Sequence, residues 1–252
     1  MAERRADAAE ARRRVPLAAL EAEAARHARR SLSAALTAGS GVRIVAEVKR
    51  ASPSAGLLRP DYRPDELARA YAAGGACGIS VLTEPRRFLG EGAHLRAVRA
   101  AVDLPVLRKD FLADAYQIAE AAAWGADAVL LIVAGLDAPQ LRDFYDEAEG
   151  RGLEVLAEAH TERELEAALA LPRALVGVNS RDLKTLRTDL SVPARLAALI
   201  PRERVSVAES GIRSRRDLEP LEALGYRGFL VGEALLRSAD PRRTLAALLG
   251  RD

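Results

Sequence analysis

The sequence predicts an α/β fold, a (β/α)8 TIM barrel with an N-terminal helical extension. Three observations predict it. Eight short apolar runs alternate with amphipathic segments. Successive runs start roughly 20 to 35 residues apart, the length that one βα unit takes. The runs are nearly continuous in Val, Ile, Leu and Ala, as parallel strands covered on both faces require.

Residues 1–40 form the extension. "ADAAEARRR" and "LAALEAEAARHARRSLSAAL" predict two helices broken near Pro16. The first 30 residues are rich in Arg but hold five acids, and they read as a solvated helix that packs on the barrel. Residues 41–252 form the barrel. Its strands are predicted at Ile44–Lys49, Gly78–Leu82, Pro105–Lys109, Ala128–Val133, Leu153–Glu158, Leu175–Asn179, Val205–Glu209 and Gly228–Gly232. Segments such as "PDELARAYAAGG" and "TERELEAALAL" between them carry helical periodicity. Asp137, Thr161 and Ser214 stand where helix N-caps belong, and Gly74, Gly125 and Gly225 where helices end. A doubly wound sheet would carry a Gly-rich fingerprint after its first strand, and "KRASPSAG" is not one.

Composition narrows the function. The chain has 252 residues, is 49% hydrophobic and 4% aromatic, and carries a net charge of +2. That suits one large barrel with an Ala, Leu and Val core. Arg alternates with Asp and Glu, so no basic patch of the nucleic-acid kind is present, and no nucleic-acid partner is expected. No apolar run reaches the ~18 residues of a membrane span, and no signal peptide opens the chain. The lone Cys77 reads as a packed thiol and fits a reducing cytoplasm. His27, His94 and His160 lack metal-ligand spacing, so neither metal nor cofactor is expected.

Of 38 Lys and Arg residues only three are Lys (Lys49, Lys109 and Lys184), and Asn179 is the single Asn. Arg is effectively always charged, whereas burial and neighbours can tune a lysine. A lysine kept in so Arg-biased a chain is therefore a candidate for a place where Arg would fail. Lys184 lies beyond strand 6 and reads as a surface cation. The other two lie at strand ends.

Barrel active sites occupy the C-terminal ends of the strands, and the polar residues collect there. In strand 1 Glu47 and Lys49 are two apart and share a face. Lys109 is in phase with Leu107, Glu158 with Leu156, Asn179 with Leu175, and Glu209 with Val207. Three carboxylates and two ammoniums crowded together should perturb one another's pKa values, as acid–base work needs. After strand 7 come Ser210 and Gly211. Strand 8 ends at Gly232, and Glu233 opens a short helix with its side chain expected to point away. Backbone N–H groups at such a place suit a phosphate. Phe88, Phe111 and Leu131, the last expected to face inward on strand 4, would supply apolar walls. The ligand is read as a phosphorylated aromatic amino sugar.

"IVAEVKRASPSAG", "SVLTEPRRF", "PVLRKDF", "ADAVLLIVA", "GVNSRDL", "VAESGI" and "LVGEALL" together resemble the indole-3-glycerol-phosphate synthase family of tryptophan biosynthesis. The resemblance runs from about Arg43 to the C-terminus. It implies a barrel whose N-terminal helices lie over the mouth. It also implies conversion of 1-(2-carboxyphenylamino)-1-deoxyribulose 5-phosphate to indole-3-glycerol phosphate, CO2 and water. By resemblance Lys109 is the general acid and Glu158 acts in the dehydration. Lys49 holds the anthranilate carboxylate and is a candidate donor in a later step. Glu47, Asn179 and Glu209 orient these groups. Ser52 and Arg181 lie near the substrate, and Ser210, Gly211, Gly232 and Glu233 bind its phosphate. A monomer is expected.

Some residues depart from the family pattern. Ala55 replaces a loop Lys, "RRFLGEG" lacks a Gly-Ser continuation, "AEAH" replaces the usual Val-Glu-Val-His, and an early aromatic is absent. Two rival readings share the fold: a phosphate-binding barrel without catalysis, and an isomerase like phosphoribosylanthranilate isomerase. The isomerase would use a Cys and an Asp as its acid–base pair, and Cys77 precedes strand 2 instead of ending a strand.

Overall fold

The computed structural model describes residues 1–59 and 61–251. Eight parallel strands close into a barrel. They are β1 (Arg43–Val48), β2 (Gly78–Leu82), β3 (Val106–Lys109), β4 (Ala128–Ile132), β5 (Glu154–Ala159), β6 (Leu175–Asn179), β7 (Ser206–Glu209) and β8 (Gly228–Val231). Each lies within about a residue or two of its predicted run, and β1 closes the ring against β8.

The strands separate two apolar layers. Val45, Leu107, Leu130, Leu156, Leu175, Val207 and Leu230 fill the barrel interior. Ile44, Ala46, Val48, Ile79, Val129, Leu131 and Phe229 face the surrounding helices. Helices α4 (Pro64–Gly74) and α5 (Gly92–Ala101) follow β1 and β2, and the helices start and stop on local chemistry. Asp114 accepts from Tyr116 N at 2.8 Å before α6 (Ala115–Trp124), and Asp137 accepts from Gln140 N at 2.9 Å before α7 (Ala138–Gly150). Thr161 caps α8 (Glu162–Leu169) in the same way. Gly125 ends α6 at φ +89°, in the left-handed region that glycine enters without strain.

The extension departs from its sequence reading in three ways. First, the run expected as one helix after Pro16 is two, α2 (Leu17–Ala24) and α3 (Leu32–Thr37). The break serves long-range contacts. Arg29 donates to Ala126 O at 2.9 Å, and Arg30 donates to Val102 O and Leu104 O at 2.7 and 3.0 Å. Ser31 caps α3, and Glu154 accepts from Leu32 N and Ser33 N at 2.6 and 2.9 Å. Leu32 and Leu36 then plug the N-terminal end of the barrel, far from its mouth. Gly228 leaves room for them, since a Cβ there would stand 2.5 Å from Leu36 Cδ2.

Second, α1 (Ala2–Arg14) is more than a solvated helix. Arg4 is buried and grips Asp110 through two bonds of 3.1 and 2.7 Å. Arg12 pairs with Asp114, and Arg86 with Asp7. Third, α1 is thereby fastened at the rim of the mouth, where Arg4 holds Asp110 and Glu3 holds Arg87. No residue of 1–40 lines the cavity described next.

Candidate active site

The strand ends open into a cavity of about 410 Å³. Its floor is polar because the last inward positions of the strands are polar. Adjacent parallel strands set Asn179 beside Glu209 and Leu82 beside Lys109. Lys109 Nζ donates to Glu209 Oε2 at 2.8 Å and to Glu158 Oε2 at 3.1 Å. Both carboxylates are about 1% exposed. Lys49 Nζ donates to Glu47 Oε1 at 2.5 Å. The phase reading therefore brought four ionisable groups, Glu47, Lys49, Lys109 and Glu158, to the lining of one floor, with Glu209 beneath Lys109 and outside the lining.

Two inward glycines make this possible. A Cβ at Gly177 would stand 2.4 Å from Glu209 Oε1, and one at Gly232 would stand 2.4 Å from Glu47 Oε1. Each carboxylate occupies the space a side chain on the next strand would fill.

Burial raises the Glu209 carboxyl to about 7; the Lys109 cation pulls it down, while Glu158 and Glu47 add to the rise. Burial also raises Glu158, but Lys109, His160 and Asn179 outweigh it and hold its carboxyl below the ordinary value. Lys109 is tuned by its neighbours, but upward and not toward neutrality. Burial alone would lower it, yet the charges of Glu209, Glu158 and Glu47 win and raise it. The surrounding carboxylates thus hold Lys109 as an ammonium, and burial brings the Glu209 carboxyl up to about 7.

The walls come from loops. Glu84 is fully buried and accepts from the backbone N–H groups of Arg86, Arg87 and Phe88 at 3.1, 2.6 and 3.0 Å. That turn sets Phe88 at 6.3 Å from Phe111, ring centre to ring centre. Both rings line the cavity, as does Ser52, which lies in a short hairpin (Ala51–Ser52 with Gly56–Leu57). Leu131 does not. It is buried against the outer helices, and Leu130 and Ile132 take the inward places. Strand β4 is apolar throughout, so no polar residue marks its phase.

Ser210, Gly211, Gly232 and Glu233 share one side of the cavity. Ser210 and Gly211 are both left-handed, at φ +66° and +80°. A Cβ on Gly211 would meet Thr188 Cγ2 at 2.6 Å. Ser210 pays a strain for its conformation that persists only where surrounding structure imposes it. The Glu233 carboxylate turns to Arg237 at 3.1 Å and lies 3.8 Å from Arg181. Arg181 is steadied by Leu186 O at 2.9 Å.

Sequence reasoning missed several lining residues: Leu82, Glu84, Arg87, Leu130, Ile132, Leu183, Leu186, Thr188, Arg213 and Leu230. For Leu82, in phase with Ser80, and Leu230, in phase with Gly228 and Gly232, period two was an available signal; for Leu130 and Ile132 on the all-apolar β4 it was not. The loop residues carried none. Among the described residues no group of three or more His, Cys, Asp or Glu could hold a metal ion, and no helix is long and apolar enough to cross a membrane. Cys77 lies away from the cavity, and burial pushes its thiol up to about 12.

A family model described as indole-3-glycerol phosphate synthase matches residues 1–248. The indole-3-glycerol phosphate synthase of Rhodospirillum rubrum is 49% identical over 251 residues, 98% of this chain and 95% of that protein. The enzyme of the same name from a Nocardioides species is 54% identical over 211 residues, 84% and 81% of the two chains. Among solved structures, thiamine phosphate pyrophosphorylase from Pyrococcus furiosus superposes with a TM-score of 0.62 at 18% identity, covering 86% of this chain and 96% of its own. That likeness concerns the barrel alone. Cavity floor, motifs and relatives agree, and this chain belongs to the indole-3-glycerol phosphate synthase family.

Proposed function

We propose that Lys109 is the general acid of the family's reaction and Glu158 the base of its last step. The reaction itself is that of the carboxy-lyases of tryptophan biosynthesis: ring closure, decarboxylation and dehydration of 1-(2-carboxyphenylamino)-1-deoxy-D-ribulose 5-phosphate. The observation that carries the assignment is the position of Lys109 Nζ, bracketed at 2.8 and 3.1 Å by two buried carboxylates at the floor of the cavity.

The proton accounting runs in order. The ring carbon that bears the carboxylate attacks the ribulose carbonyl, and Lys109 gives its proton to the carbonyl oxygen. CO2 leaves, and its bonding electrons restore the aromatic ring. The new hydroxyl leaves as water after taking a second proton, for which Lys49 is the candidate donor. Glu158 takes the proton released as the five-membered ring becomes indole. Two protons are given and one is returned, which matches the one proton consumed when a carboxylate departs as CO2.

Lys49 and Arg181 are suited to the two anionic ends of the substrate, the carboxylate and the phosphate. Ser210 and Gly211 follow β7 and lie in the cavity lining with Gly232, whose neighbouring backbone N–H groups at the start of a short helix suit a phosphate. Phe88 and Phe111 offer an apolar face to the aromatic ring. Glu47 and Asn179 are taken to hold Lys49 and Glu158 in place.

The test is a fluorescence assay of indole formation from this substrate, comparing wild type with Lys109→Arg. The variant keeps the charge and loses a proton that can be given up. A loss of two to four orders of magnitude is expected for an absent general acid. Turnover by Lys109→Arg at the wild-type rate would remove Lys109 from the role. A wild-type protein that binds the substrate and leaves it unchanged would instead favour the binding-barrel reading.

A further inference from the structure

His160 stands just beyond the end of β5, two residues after Glu158. Its Nδ1 lies 3.0 Å from Glu164 Oε2 in the first turn of α8, and the same oxygen accepts the His160 backbone N–H at 2.8 Å. Its Nε2 lies 3.4 Å from Glu158 Oε1. These two facing atoms are both buried, and neither has a hydrogen-bond partner. The other oxygen of Glu158 belongs to Lys109. Side-chain exposure rises outward along the series, from 1% at Glu158 through 14% at His160 to 21% at Glu164.

The chemistry of the two carboxylates constrains the ring. An ionised Glu164 can only accept, so Nδ1 carries the hydrogen. In the neutral imidazole Nε2 is then a lone pair. A lone pair facing an ionised carboxylate oxygen is unfavourable. The contact becomes favourable when one proton is added, on Oε1 or on Nε2. Around this proton stand Glu158, Glu164, the Lys109 ammonium behind Glu158, and the Asn179 amide on the neighbouring strand.

We propose that His160 is a positioning residue that orients Glu158 and gives its proton a way out. The proposal rests on the reading of Glu158 as the base of the dehydration. After Glu158 takes the substrate proton, its Oε1–H bond breaks and a bond from that proton to His160 Nε2 forms. The imidazolium then releases its Nδ1 proton to Glu164, which reaches solvent; the ring is left as the Nε2–H tautomer and, before the next turnover, regains a hydrogen at Nδ1 and loses the one at Nε2 by exchange with solvent. Glu158 returns to the ionised state without a step through Lys109.

The experiment compares full-length wild type, His160→Gln, Glu164→Gln and Glu158→Gln in the indole assay, in H2O and D2O and across pH. His160→Gln should keep KM and its thermal midpoint. Its kcat should fall about tenfold to a hundredfold, within the range of a lost proton transfer, with a larger solvent isotope effect and partial rescue by added imidazole. Glu164→Gln, at a partly exposed site where folding is not at stake, should lower kcat and shift the pH profile in the same direction as His160→Gln. If both variants keep the wild-type kcat and pH profile while Glu158→Gln is inactive, the proton returns internally through Lys109 and the relay is wrong. If Glu158→Gln itself turns over like wild type, the reading of Glu158 beneath the proposal is what fails.

Discussion

The absent side chain of Gly177 is what gives the Glu209 carboxylate its place: a Cβ at Gly177 would stand 2.4 Å from Glu209 Oε1. The two residues sit on neighbouring strands, and Glu209 in turn holds Lys109 at 2.8 Å. Gly177→Ala should therefore act on chemistry through two contacts. We expect kcat to fall at least tenfold, since small misplacements of catalytic groups carry large penalties. Assay and thermal melting together check it; unchanged kcat in a folded variant would mean that Glu209 does not set the position of Lys109.

Glu209 should also make stability depend on pH. Its folded-state carboxyl is raised to about 7, chiefly by burial, from an ordinary value of 4.5. A raised folded value means that the stabilising contribution is full below about 4.5 and is lost as pH climbs through about 7. Glu209→Gln cannot ionise and lacks this loss. Relative to the variant, wild type should lose stability between those two pH values and hold level above them. Denaturant titrations of both proteins from pH 4 to pH 8 measure the difference directly, and parallel curves would contradict the assignment.

Leu130 and Leu131 are adjacent yet face opposite sides of β4. Leu131→Ala should cost roughly 2 to 5 kcal/mol of stability, as core truncations do, and leave KM alone. Leu130→Ala should raise KM as well, because Leu130 lines the cavity. Chemical denaturation and steady-state kinetics on the pair check the strand's phase.

Arg4 reaches Asp110, the residue after Lys109, from 106 positions away. Breaking a buried pair by removing one partner leaves a charge uncompensated, at roughly 3 to 5 kcal/mol. Asp110 retains Arg108 at 3.0 Å and Thr83 at 2.7 Å, so Arg4→Ala should fall at the low end of that range. The measurement is again denaturation. A loss under about 0.5 kcal/mol, typical of a surface substitution, would show that α1 is not fastened there.

Much of the molecule was legible because its signals are local. Period two within a strand and period 3.6 within a helix are properties of neighbouring residues. They located all eight barrel strands. Where a polar residue ended an apolar strand, as at Lys109, Glu158, Asn179 and Glu209, the same period also told which face was inward. On β4 "AVLLI" is apolar at every position because both faces are covered. With no alternation, the run carries no phase signal, and the structure turns Leu130 inward where the sequence suggests Leu131. The scarcity of lysine pointed to Lys49 and Lys109 for a reason of chemistry, not of geometry.

The sequence by itself determined the barrel, the mouth where the chemistry gathers, and the ionisable residues found there. Tertiary structure alone decided the break between α2 and α3, which exists so that Arg29, Arg30 and Glu154 can satisfy backbone groups far away in the chain. It alone decided that α1 stands at the rim of the mouth, that Gly177 and Gly232 vacate space for carboxylates, and that Lys109 is held protonated and not tuned toward neutrality. The physical reason is the same throughout. Pattern along the chain encodes which face a residue shows, but a pKa, a close approach or a buried ion pair depends on the distance to groups that closure of the ring brings together.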